Sequence, residues 1–310
     1  MNQSRKVTEG ALMIGIFAIL LVASLFVPVI RIFILLVTPL PFVIYAARHG
    51  LQSSLLIIAG ALIISAFIVP PVSIPIAFAT GIGGVLIGHA IFKKASPYEA
   101  VMKGTAGFAA STVVMMAAAQ LLFQVNVLKL VDEAVNQYTK TSIKMLESTG
   151  ASKEQADLFL SQANLIKDLV PASLILTSGV AAFIVTWLAF KLLNRIDGKK
   201  LKFPRFRDLQ LPSGVVWLYL AAIVFAFAVR EPGTVLYIIA TNAMILLEVL
   251  VILQGISFLF HFSWKKKIAT VWPAIITIIA LILPPVLYIV RFIGVLDIGL
   301  RLRERIPPKQ

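Results

Sequence analysis

The sequence predicts an all-α fold, a polytopic transmembrane helical bundle of about nine apolar helices, the last of them single or re-entrant. Three observations carry this expectation. Of 310 residues, 59% are hydrophobic and only 14% charged, against about 25% charged in a soluble domain. Apolar runs of about 20 residues recur along the whole chain, the length that crosses a hydrocarbon core of about 30 Å, and the mean hydropathy is +0.96. The 28 Lys and Arg, set against 14 Asp and Glu, fall mostly in short loops between those runs, as the positive-inside rule requires. The net charge of +14 is therefore a topology signal, and no nucleic-acid partner is expected. With no cysteine, disulfides, thiolate nucleophiles and Cys-ligated metals are excluded.

The spans follow in order. Residues 11–30 come after Arg5 and Lys6. The run is longer than a signal-peptide apolar core and lacks a polar cleavage region, so it reads as an uncleaved span with a cytoplasmic N-terminus. Residues 32–46 return through the Pro39-Leu40-Pro41 step to an inside loop at Arg48-His49-Gly50, 51–69 lead out to Pro70-Pro71, and 74–92 come back to Lys93-Lys94. Prolines mark these breaks because they cannot donate to the helical ladder. Residues 101–123 form the fifth span and 169–193 the sixth. The loop after the sixth carries Lys191, Arg195, Lys199, Lys200, Lys202, Arg205 and Arg207 against Asp197 and Asp208, the strongest inside marker in the chain. Residues 213–229 leave, Arg230-Glu231-Pro232-Gly233 turns outside, and 235–262 return to Lys265-Lys266-Lys267. The final stretch, 268–293, crosses once or is split at Pro284-Pro285 into a hairpin that brings the basic tail with Arg301, Arg303, Arg305 and Lys309 back inside. Three parts result: a six-helix bundle at 1–195, a basic loop at 196–212 and C-terminal membrane helices at 213–310.

The bundle contains a polar insert at 124–170, with five lysines against six acids. Near neutrality fits an external segment. Leu128, Val131, Val135 and Tyr138 recur at helical spacing, Gly150 can end that helix, and Ser152-Lys153-Glu154-Gln155 reads as a capping box for a second. Phe159, Ala163, Ile166 and Leu169 give the second helix one apolar face, so an external amphipathic pair is expected.

No catalytic spacing is present: there is no HExxH and no P-loop, and His49, His89 and His261 fall near span ends. Neither enzyme activity nor a metal or other cofactor is expected. Gly81-Ile82-Gly83-Gly84 and Gly88 lack a dinucleotide pattern and read as close helix contacts. Glu248 lies mid-span with Asn242 and Gln254 six residues to either side. A carboxylate at that depth faces a wet cavity or the bundle interior, as a substrate or ion ligand or as a helix-joining hydrogen bond. Asn242 and Gln254 read as interhelical bonds or as walls of the same cavity. Ala11, Gly15 and Ala18 make a small-residue stripe on the first helix, suited to docking a membrane partner or to packing within the monomer. Arg291 and Asp297 are placed to pair near the last helix end.

On Pro39-Leu40-Pro41 with Arg48-His49-Gly50, on Asn242 and Gln254-Gly255, and on Gly294-Val295-Leu296-Asp297 running into Arg303, the chain resembles the YybS family of multi-pass membrane proteins from Gram-positive bacteria. That resemblance implies a bacterial cell-membrane location and leaves function open. The first six spans, with the insert before the sixth, also resemble the substrate-binding S components of energy-coupling-factor transporters and MreD-type proteins. This second likeness implies an outward-facing pocket for a small molecule, the 124–170 insert as its lid, and Ala11, Gly15 and Ala18 as the face that docks on a coupling subunit with its ATPases. The leading expectation is thus a small-molecule binding or transport subunit. The rival is a non-enzymatic scaffold for envelope, division or sporulation machinery, with assembly proteins as partners.

Overall fold

The computed structural model describes residues 3–27, 29–148, 150, 152–229 and 231–305. Arg230 of the expected outer turn and Lys309 of the tail lie outside the described residues. The described residues form helices and no strand: α1 (Gln3–Phe26), α2 (Arg31–Val37), α3 (Leu40–Ala66), α4 (Pro70–Phe92), α5 (Pro97–Phe123), α6 (Val127–Ser148), α7 (Lys153–Asp168), α8 (Val170–Asp197), α9 (Gly214–Ala228), α10 (Val235–Lys265), α11 (Val271–Ile282), α12 (Pro284–Leu300) and a last turn, α13 (Leu302–Arg305). Two compact units result, residues 1–148 with 173–203 and residues 149–172 with 204–310.

In the first unit α3 reverses within its own length. Gly50 sits at φ 77°, ψ −174°, a region open essentially to glycine alone, and the contacts on either side run in opposite senses along α1. Phe42 packs edge-on against Phe17 at 5.0 Å between centroids, and the Tyr45 hydroxyl donates to Lys6 O at 3.2 Å. Beyond Gly50 the chain climbs back, with Ile57 beside Gly10 and Ile14 beside Gly60. The loop expected at Arg48-His49-Gly50 is therefore a turn between two antiparallel legs. Helix α4 follows through Ser73, whose hydroxyl donates to Ser65 O at 2.6 Å. A Cβ at Gly84 would strike the Pro39 carbonyl, and one at Gly88 the Val43 carbonyl, so these glycines are where backbones meet, as small residues do in membrane bundles. The Ser96 hydroxyl caps α5 by accepting from Glu99 N at 3.1 Å, with Pro97 in the first turn where its missing N–H costs nothing. Helix α8 closes the unit, with Val185, Ala189 and Leu193 fully buried. On α6, Leu128, Tyr138 and Met145 are exposed, leaving the apolar face of that amphipathic helix largely uncovered.

In the second unit, α7 begins with the expected capping box: Ser152 Oγ accepts from Gln155 N, and Ser152 N donates to Gln155 Oε1 at 3.1 Å. Helices α11 and α12 are bent by 120° at Leu283, where Pro284 opens α12. Ala280 and Ile256 share one apolar cluster, so α11 climbs back along the last turns of α10. Helix α12 then runs in the same sense as α10, because Glu248 meets Arg291, Val251 meets Gly294 and Gln254 meets Asp297, each pair 43 residues apart. The last turn, α13, thus returns to the end of α10, with Lys265 Nζ donating to Arg303 O at 3.1 Å. Residues 268–293 are therefore no single straight helix, since α11 and α12 run in opposite senses along α10.

The expected count of nine spans is not confirmed. Among the described residues six helices are long and apolar enough to cross, or seven if the bent pair is one span. Residues 31–66 count as one continuous stretch despite the reversal at Gly50, and α9, at 15 residues, is only about 22 Å long.

Candidate functional site

Glu248, Asn242 and Gln254 all lie on α10, and the structure does not bring them together. At about 100° per residue, steps of six place the three side chains roughly 120° apart around the helix and roughly 9 Å apart along it. Each bonds to a different residue set, Asn242 at the start of α8 and the other two at separate points along α12. Asn242 Oδ1 accepts from Ala172 N at 2.6 Å, and its Nδ2 donates to Asp168 O at 2.6 Å and Ile238 O at 2.7 Å. It therefore fastens the junction of α7 and α8, where Leu169 and Pro171 interrupt the ladder. Gln254, fully buried, accepts from Leu211 N at 3.0 Å and donates to Asp297 Oδ2 at 2.6 Å. Glu248 pairs with Arg291 at 2.6 Å, both side chains about a quarter exposed at 24% and 27%. Arg291 also lies 4.6 Å from the Tyr288 ring centroid. Arg291 thus pairs across to α10 and not with Asp297, which lies six residues on and faces elsewhere.

Two polar clusters emerge that the sequence did not reveal. In the second unit Asp297 and Arg303 form an ion pair at 2.8 Å with side chains 1% and 7% exposed. Arg303 also donates to Arg207 O at 2.9 Å and Ser257 Oγ at 3.0 Å, and Ser257 donates to Phe206 O at 2.7 Å. The short turn at Phe206–Asp208 is thereby sewn to the end of α10. Asp297 Oδ1 is buried without a hydrogen-bond partner. Close by, Gly255 and Gly294 each face the carbonyl of a residue on the opposing helix, Val290 and Val251. Their lack of a Cβ is what allows the approach that brings Asp297 to Gln254.

In the first unit Glu9 bridges Arg48 and His49, the latter at 2.9 Å. Arg48 reaches on to Asp197 at 2.5 Å, and Lys199 Nζ donates to Ala47 O at 3.3 Å. These charges join α1, the turn at Gly50 and the end of α8. No sequence spacing could expose this cluster, since Arg48 and Asp197 are 149 residues apart.

The stripe on α1 behaves differently. Ala11 and Gly15 are exposed and Ala18 is partly so, and nothing comes within 4 Å of a Cβ built at Gly15. Met13, Phe17 and Leu21 on the same helix are buried. The packing face of α1 is therefore its large-residue side.

Such a chain, with apolar helices in succession and intramembrane charges such as Glu248 and Arg291 paired across helices, is an integral, multi-pass helical membrane protein. It belongs to the family described as predicted membrane protein (DUF2232), which matches residues 15–298. It is similar along its full length to the uncharacterized protein YybS of Bacillus subtilis (strain 168), with 30% identity over 312 residues covering 99% of this chain and 100% of that protein. No solved structure matches the chain. The short motifs that suggested the YybS family lie largely in the clusters just described: Arg48 and His49 in one, Gln254, Asp297 and Arg303 in the other.

Proposed function

We propose that this protein is a non-enzymatic membrane subunit that acts by docking its first helix on a second integral membrane protein. The observation that carries this reading is the open small-residue face of α1, with Ala11 and Gly15 exposed opposite the buried Met13, Phe17 and Leu21. Small residues allow close backbone approach, the main source of helix association where lipid removes the hydrophobic drive. Asn242 and Gln254 support the assembly reading over transport, because their hydrogen bonds are spent on the chain's own backbone and on Asp297. The partner is then an envelope-assembly protein, and the cell membrane with a cytoplasmic N-terminus is the setting that the loop charges favour. The test is cross-linking and co-purification from native membranes with the wild-type and Gly15→Leu chains. Loss of a stoichiometric membrane partner with unchanged thermal stability supports docking; an identical set of partners in both removes it.

One observation favours a small-molecule binding or transport subunit resembling an S component. The Glu248–Arg291 pair is held mid-span yet is a quarter exposed, and intramembrane charges commonly line substrate or ion paths. Co-purification of a coupling subunit with its ATPases, and uptake that fails in Glu248→Gln, would select this reading.

A further inference from the structure

We infer that the end of α10 and the start of α11 form a binding site for one anionic glycerophospholipid, its acyl chain in an apolar groove and its phosphate on the adjoining lysines. The groove has a volume of about 370 Å³, within the range of roughly 300–1,000 Å³ seen for ligand pockets. Leu259, Phe262 and Ser263 form one wall, and Trp272, Pro273 and Ile276 the other. The α10 residues fall at i, i+3 and i+4, and so share one face. The walls are almost wholly apolar, so the occupant's buried part is hydrocarbon.

The end of the groove supplies the charge. Ser263 and Ile268 both line it, and the turn between them carries Lys265, Lys266 and Lys267. Lys267 adopts a left-handed backbone at φ 57°, which makes the turn tight and holds the lysines at one end of the groove. Lys265 Nζ donates to Arg303 O, a neutral carbonyl that leaves its charge uncompensated. Neither Lys266 nor Lys267 has an acid within salt-bridge distance among the described residues. Trp272, 60% exposed and lining the groove, sits beside the turn as an amphipathic ring does at the depth of lipid headgroups. Apolar groove, cationic rim and the interfacial Trp272 in that order match chain, phosphate and glycerol region of a single anionic lipid. This site is independent of the α1 docking face and stands whether or not a partner binds there.

The test uses the full-length protein in nanodiscs, with Trp187, Trp217 and Trp264 replaced by Phe so that Trp272 alone reports. Brominated-chain phosphatidylglycerol should quench Trp272 at a mole fraction at which brominated phosphatidylcholine does not. Lys266→Gln with Lys267→Gln should weaken the phosphatidylglycerol response by about fivefold for each lysine removed. Ile268→Phe with Ile276→Phe, both at positions more than a third exposed, narrows the groove with the lysines intact and should abolish the preference. Equal quenching by the two lipids overturns the proposal. So does a phosphatidylglycerol preference that survives narrowing, since that result means headgroup adsorption on lysines with no lodged chain. Melting curves of both variants that overlay the parent's confirm that a lost response is loss of the site.

Discussion

Replacing Arg303 by Met should destabilise the protein by about 3–5 kcal/mol, the cost of removing one partner from a buried ion pair. Arg303 and Asp297 stand 2.8 Å apart with side chains 7% and 1% exposed, so water cannot take the place of the lost guanidinium. Asp297 would keep only the Gln254 bond at 2.6 Å, and its Oδ1 already has no hydrogen-bond partner. Arg207 O and Ser257 Oγ would each lose a donor as well. Desolvation works against the pair as a unit, so Asp297→Leu combined with Arg303→Met should recover most of the loss. The coupling between the two substitutions is then at least about 2 kcal/mol. Arg301→Met is the control: Arg301 is 68% exposed and 4.0 Å from Glu304, and its loss should stay within about 0.5 kcal/mol. Unfolding by SDS in mixed micelles, followed by tryptophan fluorescence, gives all four values. A loss below about 1 kcal/mol for Arg303→Met, or a double variant equal to the sum of the singles, would refute a buried network at this end of α10.

Other predictions probe the backbone and the course of the chain. Gly50→Ala should cost about 1–3 kcal/mol, because φ 77° with ψ −174° is strained for any residue with a Cβ; a melting curve that overlays the parent's would mean the two legs of α3 do not reverse there. Gly255→Ala puts a methyl group on the Val290 carbonyl and should cost about 1–3 kcal/mol as overpacking does. Gly299→Ala meets nothing within 4 Å and should instead stabilise α12 by roughly 0.5–1 kcal/mol, so equal effects at the two glycines would contradict the close helix crossing. Single cysteines introduced by Lys266→Cys and Glu304→Cys in this cysteine-free chain should react with an impermeant maleimide from the same side of the membrane; reaction from opposite sides would make α11 and α12 a crossing span.

What the sequence made legible was whatever depends on neighbours along the chain. The Ser152–Gln155 capping box, the Gly50 turn and the Pro284 break are set within a few residues and were readable as such. The partners of the intramembrane charges were not, because they lie on other helices. Glu248 suggested a ligand, and only the fold supplies Arg291, 43 residues away. Grouping Asn242, Glu248 and Gln254 by their even spacing overlooked helical geometry, since steps of six residues spread side chains around a helix and do not align them. The span count suffered from a similar cause: hydropathy marks apolar runs, but whether a run of 15 residues crosses, or a bent pair returns, depends on what it packs against.

The distribution of polar side chains bears on function more than their number does. Asn242 secures a helix junction, Gln254 and Asp297 secure a loop and a tail, and Glu9 with Arg48 secures a turn. Each of these groups closes local geometry that apolar packing against lipid cannot fix, since hydrocarbon side chains gain little by choosing one another over lipid tails. These polar side chains are spent on the chain's own geometry. Other features face outward, namely the small-residue side of α1, the exposed apolar residues of α6 and the lysine-ended groove between α10 and α11. Outward features of a membrane protein meet other helices and lipids, and this is the ground on which the docking and lipid-binding proposals rest.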